Sequence, residues 1–206
     1  MARSKSSRRW LDRQFNDPYV KRAQQDGYRS RAAYKLLELQ EKDRLLTVGM
    51  RVVDLGAAPG SWSQIAARLV GVKGQVFALD LLAMEPLVGV HCLMGDFRET
   101  EVLAQLRASL GDAPVDLVLS DMAPNISGMP EVDQPRIVYL MELALELARE
   151  TLKPDGALVV KAFQGSGFDG VRRRLRDSFA LVVNRKPKSS RPESREIYMV
   201  AKGFKA

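Results

Sequence analysis

Short apolar segments alternate with amphipathic segments along most of the chain. The apolar runs predict strands at residues 51–56, 75–82, 90–97, 115–121 and 156–163. Between them, apolar residues at helical spacing predict helices at residues 61–70, 99–110, 133–152 and 168–179. Because the strand-like runs are nearly continuously apolar, we expect these strands to be buried on both faces of a parallel sheet.

The order of these elements predicts a doubly wound α/β fold with helices on both faces of the sheet. Two more strand-like runs, 180–187 and 195–204, follow each other without a helix. They predict an antiparallel hairpin at one edge of a mostly parallel, seven-stranded sheet. Ser30 is a suitable N-cap for a helix over residues 31–46. We therefore divide the chain into a basic N-terminal arm, residues 1–30, with at most one short helical turn, and a folded domain, residues 31–206.

Charge is distributed unevenly along the chain, whose formal net charge is +7. Residues 1–35 carry a net charge of +7, residues 36–160 carry −8, and residues 161–206 carry +8. A separation of this kind predicts a polyanionic partner that contacts both ends of the chain.

The chain has a single cysteine, Cys92, and a single histidine, His91. These numbers exclude an intrachain disulfide and a cysteine-rich zinc site, and we expect neither a histidine-based triad nor any metal. Cys92 falls inside a predicted strand, where we expect it to be buried. The low cysteine content fits a reducing compartment, so we expect a cytoplasmic protein. No apolar run reaches the ~20 residues that span a bilayer, and we expect no membrane contact.

Acidic residues occur at or near the ends of four consecutive predicted strands. They are Asp54, Asp80, Asp96 and Asp121. A single Asp after a strand is often only a turn residue, but in open α/β sheets the ligand lies beyond the carboxyl ends of the strands. Four carboxylates around one crevice suit a ligand with a ribose and a positive centre, such as S-adenosylmethionine. Gly56 and Gly60 allow a tight turn after the first strand.

Lys161 ends the fifth predicted strand, where its amine would face Asp121. A lysine at a strand end can also simply extend to water, and that alternative stays open here. Lys35 on the early helix and Glu196 at the start of the last strand are the other charged residues that could converge on this place.

Taken together, these motifs resemble the FtsJ/RrmJ family of ribose 2′-O-methyltransferases of large-subunit ribosomal RNA. The resemblance covers residues 17–206 and rests on the segments VVDLGAAPGSW, ALDLL, GDF, SDMAPN, VVKAFQG and KPKSSRPESREIY. It implies a Rossmann-like class I methyltransferase fold, with residues 31–206 as the S-adenosylmethionine-dependent domain. It also implies a uridine of 23S ribosomal RNA in the assembled large subunit as the substrate. Ser61 departs from the family, whose members usually carry Gly there.

The resemblance also assigns site residues. A catalytic tetrad would comprise Lys35, Asp121, Lys161 and Glu196, and the cofactor would contact Gly60, Trp62, Asp80, Asp96 and Asp121. Lys161 would be the general base that activates the ribose hydroxyl, oriented by Asp121, while Lys35 and Glu196 would steer the ribose. A free lysine has a pKa of ~10.4 and is protonated at pH 7. A rival role therefore keeps Lys161 charged as a stabiliser of the oxyanion.

Two other functions stay open at this point. An amino methyltransferase of bases usually carries paired prolines and an aromatic after the fourth strand, and Asp121-Met122-Ala123-Pro124 lacks both. A non-catalytic ribosome-assembly factor would use the fold only to bind RNA. Basic residues within 1–35 and 185–195, with the arginines of 172–176, predict the RNA-contacting surface. We expect a monomer.

Overall fold

The computed structural model describes residues 17–206, and the predicted RNA contacts of residues 1–16 lie outside it. Its helices are α1 (Pro18–Gln25), α2 (Ala32–Asp43), α3 (Ser61–Val70), α4 (Thr100–Leu110), α5 (Pro130–Thr151) and α6 (Phe168–Ser178), with a 3-10 turn at Gly71–Lys73. Its strands are β1 (Arg51–Leu55), β2 (Gln75–Asp80), β3 (Val90–Met94), β4 (Val115–Ser120), β5 (Leu152–Phe163), β6 (Phe179–Arg185) and β7 (Glu196–Phe204).

The seven strands form one sheet in the order β3-β2-β1-β4-β5-β7-β6. The pairs β1–β2, β1–β4, β2–β3 and β4–β5 are parallel, whereas β7 is antiparallel to both β5 and β6. The predicted α/β fold, with a mostly parallel sheet and an antiparallel pair at one edge, is therefore confirmed. The register of β5 and β7 pairs Lys161 with Tyr198 and Phe163 with Glu196.

Two apolar clusters attach helices to the two faces of the sheet. On one face, Leu36 of α2 and Ile65 of α3 pack with sheet residues such as Leu117. On the other face, Met141 of α5 packs with residues of α4, α6 and the sheet, including Leu158. Burial on both faces explains why β1, β2 and β4 read as continuous apolar runs.

The prediction that the five strands up to residue 163 are all buried on both faces is wrong for β3, which lies at one edge of the sheet. β3 is an edge strand in which His91, Cys92 and Met94 are exposed. The expectation that Cys92 is buried is therefore also wrong. The consecutive residues His91 and Cys92 point to opposite faces and both are exposed, so the helices leave both faces of this edge strand partly uncovered. β6, the opposite edge, is likewise exposed at several positions, including Leu181.

Several helix and strand boundaries differ from their predictions, and three of them show a local cause or irregularity. Helix α2 ends at Asp43 rather than at residue 46, because Arg44 takes a left-handed conformation with φ of 48°. Helix α5 starts at Pro130 rather than at residue 133, and the Asp133 carboxylate accepts hydrogen bonds from the amides of Ser127 and Gly128 before it. Strand β5 starts at Leu152, which pairs with Val115, and regular pairing resumes at Ala157 after an irregularity.

Residues 17–30 contain more regular structure than the single helical turn predicted for the arm. Helix α1 spans eight residues, and Asp17 caps it by accepting a hydrogen bond from the Tyr19 amide at 3.0 Å. Arg31 then pairs with the same Asp17 carboxylate. None of the helices within residues 17–206 is both long and apolar enough to cross a membrane.

Candidate active site and cofactor crevice

A crevice of about 560 Å³ lies beyond the carboxyl ends of β1, β2, β3 and β4. Its lining includes Gly56, Ala58, Asp80, Leu81, Gly95, Asp96, Phe97, Arg98, Asp121, Met122, Asn125, Arg136 and Tyr139. Gly56 has a φ of +71°, and a Cβ atom there would lie 2.9 Å from the Cα atom of Met122. Only glycine therefore allows the loop after β1 to approach the loop after β4 this closely.

Asp80 and Asp96 present carboxylates to the crevice with different partners. The oxygens of Asp80 accept hydrogen bonds from the amides of Ala58 and Leu82, both at 2.9 Å. Asp96 is held by Arg98, whose guanidinium donates to both carboxylate oxygens and whose amide donates at 2.9 Å. The side-chain hydrogen bond from Arg98 is the main reason why the pKa of Asp96 lies below its ordinary value.

Lys161 and Asp121 form an ion pair beside the crevice. The ammonium Nζ of Lys161 lies 2.7 Å from the Asp121 carboxylate and donates to the Asp121 carbonyl oxygen at 2.8 Å. Only 9% of Lys161 is exposed, so the alternative in which its side chain extends into water does not describe this structure. The Asp121 amide donates to the Leu55 carbonyl at 3.1 Å, which fixes this acid to the end of β1.

Tyr198 completes this network from strand β7. Its hydroxyl donates to the Asp121 carboxylate at 2.6 Å, and the residue is fully buried. Burial, together with the negative charges of Asp121 and Glu196, raises the pKa of Tyr198 well above its ordinary value. Burial alone would raise the pKa of Asp121, but the charges of Lys161 and Lys35 and the hydrogen bonds it accepts outweigh burial and lower it.

Lys35 and Glu196 form a second ion pair close to the Tyr198 ring. Their charged atoms lie 2.6 Å apart, and the Lys35 amine lies 5.8 Å from the ring centroid. The Ser190 hydroxyl donates to the same Glu196 oxygen at 2.8 Å. Burial raises the pKa of Glu196, but the nearby Lys35 and Lys161 charges reverse that effect, so its pKa lies below the ordinary value.

The four residues of the predicted tetrad therefore lie in one cluster around Tyr198. Two ammonium groups face two carboxylates, and the cluster opens to the crevice at Asp121. Such an arrangement can bind a hydroxyl group between an amine and a carboxylate, and can hold or accept its proton.

Two of the predicted cofactor residues do not line the crevice with their side chains. The Trp62 side chain is buried in the core, where its indole N–H donates to the Ala32 carbonyl at 2.8 Å. Its ring packs 5.4 Å from the ring of Tyr198. Gly60 caps the start of α3, and the atom nearest to a Cβ built on it is Nη1 of Arg29, at 2.8 Å. Any contact of Gly60 or Trp62 with a ligand would therefore be made by backbone groups, of which the Gly60 amide already donates to the Ala57 carbonyl at 2.6 Å.

Asp54 also lies away from the crevice, contrary to the prediction that four strand-end acids surround it. It is fully buried beneath α3, where it accepts a hydrogen bond from the Ser63 hydroxyl at 2.6 Å. Asp54 is one residue short of the strand end, so the alternation of side chains points it at a helix. Its other oxygen has no partner among residues 17–206. Burial raises the pKa of Asp54 to about 7.

Tyr198 was not among the predicted site residues, although its spacing from Glu196 could have indicated it. Glu196 and Tyr198 are two residues apart on one strand, so their side chains share a face of the sheet. Nothing in the local sequence indicated that Arg98 would pair with Asp96, because the pairing depends on the turn after β3.

Comparison with known proteins links this arrangement to one family. The FtsJ-like methyltransferase family matches residues 28–204. Two relatives described as ribosomal RNA large subunit methyltransferase E, from Marinobacter nauticus and Pseudomonas aeruginosa, are 58% and 57% identical over 100% of this chain and 99% of their own lengths. A crystal structure of a protein described as a ribosomal RNA methyltransferase, from Plasmodium falciparum, is 32% identical, with a TM-score of 0.78 over 86% of this chain and 98% of that one. The fibrillarin/Nop5p complex shares the fold, with a TM-score of 0.60 over 85% of each chain and 19% identity.

We expect the stability of the protein to depend on pH through Asp54. The folded state holds the Asp54 proton up to a pKa of about 7, whereas the unfolded chain releases it near 3.8. The contribution of Asp54 is therefore fully present below pH ~4 and is lost as the pH rises through 7. The free energy of unfolding in urea of Asp54→Asn, minus that of the wild type, should increase as the pH is raised from 5 to 8, by no more than ~3 kcal/mol.

The matched control for this measurement is Asp112→Asn, because Asp112 is exposed. Asn at position 54 also buries an amide, but the cost of that group does not change with pH, so only the pH dependence is diagnostic. Parallel pH profiles for the wild type and Asp54→Asn would show that Asp54 is ionised in the fold.

Proposed function

The chain belongs to the FtsJ-like methyltransferase family, and on that premise we propose that it transfers a methyl group from S-adenosylmethionine to the ribose 2′-hydroxyl of a uridine in 23S ribosomal RNA. The names of its full-length relatives support large-subunit ribosomal RNA as the substrate. We propose the assembled large subunit as the form that is modified, and a monomer as the active form.

The observation that carries this proposal is the buried Lys161–Asp121 pair at the edge of the crevice. A lysine that is 9% exposed, and whose amine lies 2.7 Å from a carboxylate, holds that amine in a fixed position. A ribose hydroxyl is a poor nucleophile at neutral pH, so a positioned base increases its reactivity. Fixed placement of the hydroxyl relative to the methyl donor supplies much of the remaining rate.

The crevice has the chemistry that a nucleoside with a positive centre requires. We propose that Asp80 accepts hydrogen bonds from the ribose diol of the cofactor and that Asp96 accepts from its adenine amino group. Arg98 already pairs with Asp96, so adenine would share this carboxylate with the guanidinium. The backbone groups of Gly60 and Trp62 belong to the same proposed site. When bound, S-adenosylmethionine supplies an electrophilic methyl group on a cationic sulfur, whose charge the Asp121 carboxylate favours.

On the acceptor side, we propose that Lys161 takes the proton from the 2′-hydroxyl. In the structure Lys161 donates to two oxygens of Asp121, so it must release a proton before it can act as a base. Asp121 orients the amine, and Tyr198 shares the charge of that carboxylate. In this proposal Lys35 and Glu196, which pair at 2.6 Å, bind the other polar atoms of the ribose.

The basic surface for RNA contains fewer free cations than the sequence indicates. Arg31 pairs with Asp17, and Arg185 donates to both carboxylate oxygens of Asp43. The guanidinium groups of these two arginines are therefore paired within the protein rather than free to contact phosphates. We propose that neighbours such as Lys188 and Arg195 make the phosphate contacts.

The role of Lys161 can be tested by its two simplest substitutions. Lys161→Ala should reduce methyl transfer by at least ~10²-fold, the usual contribution of a general base. Lys161→Arg keeps a permanent positive charge and cannot accept a proton, so we expect it to be equally inactive. The control is Lys205→Ala, which should keep wild-type activity because Lys205 follows the end of β7 that lies away from the site.

If Lys161→Arg retained much more activity than Lys161→Ala, the role of Lys161 as a general base would be rejected. Lys161 would then act as a permanent positive charge that stabilises the oxyanion. If both variants were fully active, the methyl transfer would not depend on this cluster.

The acceptor atom and substrate form can be measured with methyl-labelled cofactor. Assembled large subunits, free large-subunit ribosomal RNA and small subunits are incubated with the protein, and the RNA is hydrolysed in alkali. A 2′-O-methyl group blocks cleavage of the adjacent phosphodiester, so we expect label in alkali-resistant dinucleotides, and mainly from assembled large subunits. Label in mononucleotides would indicate base methylation, and RNA binding without label would indicate an assembly factor.

A further inference from the structure

Arg29 forms a dense set of hydrogen bonds between the N-terminal segment and two loops. Its Nη1 atom donates to the carbonyls of Pro59, at 3.0 Å, and Glu85, at 2.7 Å. Its Nη2 atom donates to the Pro86 carbonyl at 2.9 Å. One planar guanidinium therefore joins the loop after β1 to the loop after β2.

The same two loops meet again at Asp80, on the crevice side. The Asp80 carboxylate accepts from the Ala58 amide in the first loop and from the Leu82 amide in the second. Ala58, Asp80 and Leu81 all line the crevice. The spacing of the two loops is thus fixed by Asp80 on the inside and by Arg29 on the outside.

Glycine at position 60 leaves space for the Arg29 guanidinium. A Cβ atom on Gly60 would lie 2.8 Å from Nη1 of Arg29 and 3.1 Å from Leu87 in the second loop. The absence of a side chain at Gly60 thus leaves the space that the guanidinium occupies.

The position of Arg29 is itself fixed by the start of helix α3. The Arg29 amide donates to the Gln64 side chain at 3.3 Å, and the Gln64 amide group donates back to the Gly27 carbonyl at 2.8 Å. The hydroxyls of Ser30 and Ser61 share a hydrogen bond at 2.7 Å. The segment that carries Arg29 leads directly into α2, on which Lys35 lies.

We propose that Arg29 is a positioning residue for cofactor binding, which holds the two loops at the spacing that lets Asp80 receive the ribose of the nucleoside. This inference rests on the proposed function. The sequence placed Arg29 among the RNA contacts, but its guanidinium donors are directed at three backbone carbonyls of the protein itself. A planar fork suits three separated acceptors better than the single ammonium of lysine.

The test measures binding of S-adenosylmethionine by calorimetry in the absence of RNA. Arg29→Ala should weaken binding about tenfold, because the loops lose three hydrogen bonds that fix their spacing. The KM for the cofactor should rise in proportion, while kcat at saturating cofactor stays within about twofold of the wild type. Arg29→Lys keeps the positive charge but not the planar fork, so it should not restore cofactor affinity, and RNA affinity should stay close to that of the wild type in both variants.

Arg68→Ala is the control, because Arg68 contacts the same segment through the ring of Tyr28, at 5.5 Å, and is exposed. It should bind the cofactor as the wild type does. Hydrogen exchange adds a local measurement: in Arg29→Ala the amides of residues 81–89 should exchange faster, with no change in α5. This pattern separates loop release from general unfolding.

Wild-type cofactor affinity in Arg29→Ala, with weakened RNA binding, would overturn the inference and make Arg29 an RNA contact. Full recovery of cofactor affinity in Arg29→Lys would refute the need for the planar fork. Loss of folding in Arg29→Ala together with wild-type cofactor affinity in Arg29→Lys would also refute it. Failure of the wild-type protein to bind S-adenosylmethionine would instead refute the proposed function.

Discussion

The carboxylate of Asp121 is the group on which the geometry of the site depends. It is largely buried, and it accepts hydrogen bonds from the Lys161 amine and the Tyr198 hydroxyl while its own amide is tied to β1. Removing one partner of a buried ion pair leaves the other charge without compensation, which costs several kcal/mol. The cation and the carboxylate therefore fix each other, and they do so where β4 meets the crevice.

Strand β7 connects this pair to the second one. Because it runs antiparallel between β5 and β6, its first residues lie beside the last residues of β5. Glu196 and Tyr198 share a face of β7, so one strand supplies both the partner of Lys35 and the hydroxyl that binds Asp121. The antiparallel strand β7 thus brings Lys35 of α2, Lys161 of β5 and Asp121 at the crevice into one charged cluster.

The fold was predictable from the sequence because it follows from strand order, whereas the full tetrad, with Lys35 on helix α2, was implied by the resemblance to a family. In a parallel sheet the strand ends meet at one edge, so Asp80, Asp96 and Asp121 could be placed together from pattern alone. Side chains whose position depends on the phase of a strand or on a distant partner were not predictable in this way. Asp54 is one residue short of the strand end and is buried under a helix, and the indole of Trp62 is satisfied by a carbonyl of α2.

The most direct test of the account compares ribosomal RNA from cells that lack this gene with RNA from cells complemented by the wild type or by Lys161→Ala. Mass spectrometric mapping of the large-subunit RNA identifies each modified nucleotide and whether the methyl group is on ribose or base. The account predicts that one ribose-methylated uridine disappears in the deletion, returns with the wild type and stays absent with Lys161→Ala. A lost base methylation, or a ribose methylation that Lys161→Ala restores, would contradict it.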